Sequence, residues 1–178
     1  MRWLPLPRPY TRSNAEWFIG TFGPGLRESG AGIVFAIESA GRLAGVIDLK
    51  HVSWAAKLAE VGYWVAPWAR GRGVASGATR ALALWAIGSH GFERVELFAA
   101  TGNAASQRAA EKAGFVREGV ARNAATSMTA AWTWLSSRWS RMTCGCQMSK
   151  TSKVIACSTP IAFPPPPRIM PNKSRGDG

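Results

Sequence analysis

Seven residues, Pro67-Trp68-Ala69-Arg70-Gly71-Arg72-Gly73, end the extended pattern before them and precede a helical one. A proline and two glycines keep a strand from continuing. From Val74 to about Ser89 the apolar residues Val74, Ala78, Ala81, Leu82 and Trp85 recur at steps of three and four, the spacing of an amphipathic helix. Before the turn, Ala59–Val65 (AEVGYWV) reads as a strand. The chain therefore contains strand, glycine-rich turn and helix in that order. Backbone N–H groups at such a helix start lack partners, and the helix dipole favours an anion there. Gly71 and Gly73 allow close approach to the backbone, and Arg70 and Arg72 add positive charge. The unit can hold a pyrophosphate. It can equally be a plain turn with glycines at positive φ and solvated arginines.

The surrounding pattern restricts the fold. Asn14–Ile19 reads as a short helix with an Asn cap, and the glycine-rich 22–32 stretch as loop. Ile33–Ser39, Leu43–Val52 and Ala59–Val65 predict three antiparallel strands in a meander. After the Val74 helix, closed by His90-Gly91, come a strand at Val95–Ala100 and a helix capped by Asn103. That helix is closed by Gly114, and a further strand covers Phe115–Val120. The crossover from the third strand to the fourth predicts a parallel pair. The fold class is α/β (α+β): a mixed, mostly antiparallel sheet flanked by helices.

Three kinds of anion-binding turn can be compared. A phosphate-binding Walker loop needs Gly-Lys-Ser/Thr, where this chain has Gly73-Val74-Ala75. A dinucleotide fingerprint fits Gly71-x-Gly73-x-x-Ser76 in part, but a meander precedes it instead of a βαβ start. Arg70-x-x-Gly73-x-Ala75 resembles the Q/R-x-x-G-x-G/A signature of the GNAT N-acetyltransferases. AEVGYWV before the turn, NAASQRAAEKAGFVREG after the next strand, and PRPYTRSNAEWFI near the start are similar to the same family. Within it they resemble the branch that acetylates ribosomal-protein N-termini. The likeness covers about residues 5–125, and its pieces agree in order and spacing.

The resemblance implies an N-acetyltransferase with acetyl-CoA as co-substrate and a primary amine, a protein or peptide N-terminus, as acceptor. It implies that acetyl-CoA lies in a splay between Ala59–Val65 and Val95–Ala100. The backbone at Tyr63, Trp64 and Val65 would bond the pantetheine arm. The amides of Arg70, Gly71, Arg72, Gly73, Val74 and Ala75 would hold the pyrophosphate. Asn103 would bond pantetheine from the far side, although a helix cap needs the same residue. The reaction requires a neutral amine. An α-amine costs about 1.4 kcal/mol to deprotonate at pH 7 and a lysine about 4.6 kcal/mol, so an α-amine makes modest demands on a base. Glu60 is the first candidate base, acting directly or through water, and Asp48 the second. Glu60 can also be a solvated or structural carboxylate. Many members place a tyrosine as general acid where this chain has Ala110. Ser106 matches a serine common in the N-terminal branch and would help the thiolate leave, a role water can also fill. Trp54, Trp64, Trp68 and Trp85 read as core or cleft wall, and His51 and His90 as surface residues without metal-like spacing.

Charge and composition divide the chain near residue 126. The net charge is +12 in 178 residues. Residues 126–178 hold seven Lys+Arg against one acid, Asp177, and so carry half of that excess in under a third of the length. Cys144, Cys146, Cys157 and the run Pro164–Pro167 lie there too. A charge split of this kind argues against a nucleic-acid surface spread over the domain, although a basic binding module and an inactive remnant of the family stay open as alternatives. Cys144-x-Cys146 lacks a fourth ligand at zinc spacing, so no metal is assigned. No apolar run has the length of a membrane span, and the opening residues do not form a secretory signal, so the cytoplasm is the expected compartment and no membrane partner is expected.

Residues 1–125 are thus expected to form the acetyltransferase domain, short of the family's opening strand and helix. Residues 126–178 are expected to form a disordered tail in place of the family's last strand. Met128-Thr129, Trp132-Thr133 and Met142-Thr143 each become aspartate when read in the neighbouring frame. With permitted third bases, the segment from Thr126 to Gly145 then reads as a turn and an apolar strand. The tail is accordingly expected to be translated out of frame.

Overall fold

The computed structural model describes residues 3, 4, 6–121, 134–139 and 154–155. Helix α1 (Arg12–Trp17) leads through a π-helical turn (Phe18–Phe22) into α2 (Gly23–Glu28). Thr11 is the N-cap of α1, and Asn14 stands three residues later as its capping-box partner, not as the cap. The stretch expected as loop is helical over α2 because its proline lies in the first turn, where no N–H is needed.

Strands β1 (Ile33–Ser39), β2 (Arg42–Ser53) and β3 (Leu58–Val65) form the antiparallel meander. Helix α3 (Val74–His90) then crosses to β4 (Arg94–Ala100), which pairs parallel to β3. Helix α4 (Ala104–Lys112) and β5 (Val116–Ala121) follow. Gly91, at φ 70°, closes α3 in the left-handed conformation that glycine adopts freely.

Two short strands lie beyond residue 126. Strand β6 (Trp134–Trp139) pairs antiparallel with both β4 and β5, and β7 (Val154–Ile155) pairs with β1. Residues 126–178 are expected to form a disordered tail, and these two segments correct that expectation where they lie. The slot between β4 and β5 is filled through N–H and C=O groups, which every non-proline residue supplies. The sheet order is β5-β6-β4-β3-β2-β1-β7. Cys144, Cys146, Cys157 and the proline run lie outside the described residues.

The core sits between one sheet face and α3. Ile37, Ile47, Leu49, Val61, Val95 and Leu97 face Ala78, Leu82, Ala83 and Ala86 of that helix. Trp85 meets Phe35 edge-on at 5.3 Å, and Trp54 and Trp68 pack against the same cluster. On the opposite face, α2 reaches β1 where Gly23 approaches Val34. Alternation along β3 sends Val61 and Tyr63 toward the helices α3 and α4 and leaves Glu60, Gly62 and Trp64 on the other side.

Candidate active site

The site begins where two strands part. The β3–β4 ladder runs from Leu58↔Arg94 to Val61↔Leu97 and stops. The β2–β3 ladder continues to Gly45↔Val65, while β4 stays paired to β6 as far as Ala100. Among the described residues, no strand joins β3 on its β4 side from Gly62 to Val65. A wedge-shaped gap therefore opens between the C-terminal halves of two parallel strands, with backbone N–H and C=O groups along its walls.

Past the open end of the gap, a single 3-10 turn (Pro67–Ala69) leads to the arginine–glycine segment. Arg70 Nε donates to the Val65 carbonyl at 3.0 Å and clasps the turn to the end of β3. Gly71 (φ 74°) and Gly73 (φ 78°) are both left-handed, and a Cβ on Gly71 would meet nothing within 4 Å. Open space beside a left-handed glycine suits a bound group lying against the backbone. The first internal bond of α3 is Gly77 N–H to the Gly73 carbonyl, at 2.9 Å. The amides of Val74, Ala75 and Ser76 are thus the partnerless donors of the helix start. Arg72 is exposed beside them. The turn combines three aimed N–H groups, a helix dipole and a guanidinium, an arrangement for a phosphate.

At the closed end of the gap, the two sheet faces carry different chemistry. On the face away from α3, Glu60 is nearly buried and lies opposite Lys50 across the β2–β3 ladder. Lys50 Nζ reaches its Oε1 at 2.9 Å, and His51 Nδ1 reaches Oε2 at 2.7 Å. His51 itself is largely exposed, so a route runs from the buried carboxylate to solvent. Sequence spacing treats His51 as an unattached surface residue. It reaches Glu60 because it sits at φ 49°, beside a register shift between Lys50 and Ser53.

Asp48 lies two residues away on the same face. Its Oδ1 is buried without a hydrogen bond, and a Cβ on Gly62 would stand 2.5 Å from it. A methyl group at position 62 would therefore force the Asp48 carboxylate to shift. Burial pushes the Asp48 pKa up, and Glu60 adds to the rise; Lys50, the Gly62 amide and His51 offset part of it.

On the helix face, Tyr63 Oη and Ser106 Oγ are 2.9 Å apart. Asn103 Oδ1 accepts from the Ser106 amide at 3.2 Å, so Asn103 does cap α4. Trp64 alternates onto the opposite face with Glu60, and Val65 follows at the mouth of the gap. Of the residues singled out in the sequence, Arg70–Ala75 lie beyond the open end of the gap, Tyr63–Val65 form one wall, Glu60 lies in the paired part of β3 just before the ladder stops, and Ser106 meets Tyr63 from the first turn of α4. Three contacts have no sequence signal, namely Lys50–Glu60, His51–Glu60 and Tyr63–Ser106, because each depends on pairing register or helix placement. Among the described residues no group of three or more His, Cys, Asp or Glu could hold a metal ion, and no helix is long and apolar enough to cross a membrane.

The chain belongs to the GNAT acetyltransferase family: the model of an acetyltransferase (GNAT) domain matches residues 1–116. YdaF of Bacillus subtilis (strain 168), named as a ribosomal N-acetyltransferase, is 34% identical over 114 residues, 62% of this chain and 62% of YdaF. The chain thus spans less than two thirds of that relative's length. A crystal structure described as a probable acetyltransferase matches with TM-score 0.64 at 29% identity, covering 72% of this chain and 74% of the other. Mycobacterium smegmatis RimJ, solved with CoA-disulfide, has TM-score 0.68 at 22% identity, covering 79% and 69%, a likeness of fold.

Proposed function

We propose that this chain transfers the acetyl group of acetyl-CoA to a primary amine, and that the amine is the N-terminal α-amine of a protein or peptide. The carrying observation is the one-sided end of the β3–β4 ladder at Val61↔Leu97, with the arginine–glycine turn beyond its open end. A long, thin ligand with a diphosphate at one end suits that shape. Its phosphates lie on Gly71–Ser76 and Arg72. Its amide-bearing arm runs back along Tyr63–Val65, extending the sheet. Its thioester reaches the closed end, between Glu60 and Ser106.

There the amine attacks the thioester carbonyl. The new C–N bond forms as the C–S bond breaks, and the electron pair of that bond goes to sulfur. Glu60 takes the amine proton directly or through water, and the exposed His51 on its Oε2 passes a proton to solvent. Asp48 is the second carboxylate on that face. Asn103 bonds the arm from the β4 side, in addition to its capping role. A ribosomal acceptor is in keeping with the name of YdaF, and an α-amine with its smaller deprotonation cost.

Calorimetric titration with CoA tests the reading. The chain should bind CoA, and Gly73→Val should weaken binding at least about 100-fold, because a branched side chain would occupy the phosphate site and strain a left-handed residue. A folded sample that binds no CoA overturns the proposal.

A further inference from the structure

The chain sets one of its own amines against the candidate base. Lys50 stands opposite Glu60 in the β2–β3 register, and its Nζ reaches Glu60 Oε1 at 2.9 Å. The path of the side chain runs over Gly62, where a Cβ would stand 3.3 Å from Lys50 Cε. Gly62 is the first residue of β3 past the last β3–β4 pair, Val61↔Leu97. The lysine therefore lies over the residue at which the gap opens. Its side chain is 36% exposed, so the ammonium is held without being sealed in. Lys57, in the turn that joins the same two strands, offers a contrast. It also meets a carboxylate, Glu93 at 3.1 Å, and is more exposed at 56%, but it sits before β3, at the end away from the gap.

We propose that Lys50 is a self-modification site: its ε-amine takes the acetyl group of acetyl-CoA bound in the same chain. This rests on the CoA reading above, which brings the thioester to the level of Glu60. The ammonium first gives a proton to Glu60, and His51 on Oε2 passes it to solvent. The neutral Nζ then attacks the thioester carbonyl. The N–C bond forms as the C–S bond breaks, and the electron pair of that bond goes to sulfur. A second proton leaves the nitrogen by the same route, and CoA departs as its thiolate. A lysine amine costs more to deprotonate than an α-amine, so the step is slow beside acceptor turnover and quickens as pH rises. It happens once per chain. The amide so formed carries no charge and no longer pairs with Glu60.

The test needs no acceptor. The full chain is incubated with acetyl-CoA and digested with trypsin, and acetyl occupancy at each lysine is followed over time by mass spectrometry. CoA affinity is measured on the same protein by calorimetry. Lys50 should be acetylated at least about tenfold faster than the more exposed Lys57, the reverse of the order expected for unassisted reaction with free acetyl-CoA. The Lys50 rate should saturate with acetyl-CoA, fall when excess CoA competes, and be independent of protein concentration. Glu60→Gln should bring it down to the rate at Lys57. A chain that binds CoA but acetylates Lys50 no faster than Lys57 overturns the inference and leaves the CoA reading standing. A Lys50 rate that grows with acetyl-CoA without saturating also overturns it, since the reagent would then come from solution. So does a rate proportional to protein concentration, which would mean that one chain modifies another, and so does a full rate in Glu60→Gln. A folded chain that binds no CoA overturns both readings.

Discussion

Strand β3 has two neighbours and treats them differently. With β2 it stays paired from Ser53↔Leu58 to Gly45↔Val65; with β4 it pairs over four positions and lets go. The first ladder is so close that a Cβ on Gly45 would collide with the Trp64 carbonyl oxygen. The second ends where the channel begins. The comparison teaches that the cleft needs no separate lobe or lid. It is made by stopping one ladder while the other holds the strand rigid, so one strand supplies both the frame and the wall.

Four substitutions probe that difference. The largest effect is expected at the continuous ladder: Gly45→Ala should destabilise the fold by about 3 kcal/mol, because backbone must move to admit the methyl group. Gly71→Ala, where the space is open and only φ is unfavourable, should cost about 1 kcal/mol. Urea denaturation of both variants gives the contrast, and equal losses would show that the two sides of β3 are equally tight. Next is the paired carboxylate at the point of separation. Glu60→Gln should lower turnover about 10- to 100-fold with little change in acetyl-CoA affinity. That loss should shrink above pH ~8, where an α-amine deprotonates unaided. A pH-independent loss in the rate profile would return Glu60 to holding Lys50 and His51 in place.

The smallest effect concerns Asp48, whose carboxyl is raised from 3.8 in the folded chain. A raised carboxyl favours folding below the unfolded value, and that contribution is lost as pH rises through the folded value. At neutral pH its charge therefore weighs against the fold. Asp48→Asn should stabilise by about 1 kcal/mol at pH 7, the scale of one buried unsatisfied polar group, and the gain should close as pH falls toward 4. Denaturation curves at the two pH values read this directly. A loss of stability at pH 7 would mean that Lys50 compensates the charge fully.

Much of the frame was legible because it is written locally. The glycines of the turn, the helix period after Val74, the Gly91 closure and the Asn103 cap each act over a few residues. The helix over Gly23–Glu28 was not legible, since four glycines in eleven residues weigh against a helix that tertiary contact with β1 nevertheless supports. The pairing of Glu60 with His51 was hidden by an irregular register in the β2–β3 hairpin. Strand β6 was hidden for the opposite reason. Its place between β4 and β5 is a matter of backbone pairing, which leaves no mark on a sequence pattern.

The position of β6 has a consequence for synthesis on the ribosome. In the sheet it lies between β4 and β5, yet in the chain it follows both. Among the described residues, β5 has no other strand partner. At ~5–20 residues per second, β5 waits roughly one to four seconds after its own translation before the strand that anchors it has been made. Through that interval the outer edge of β4 and both edges of β5 are open templates for any extended polypeptide nearby. The time of greatest exposure to misassembly is therefore a late one, when the meander and α3 already have the residues they need and the sheet lacks its inserted strand.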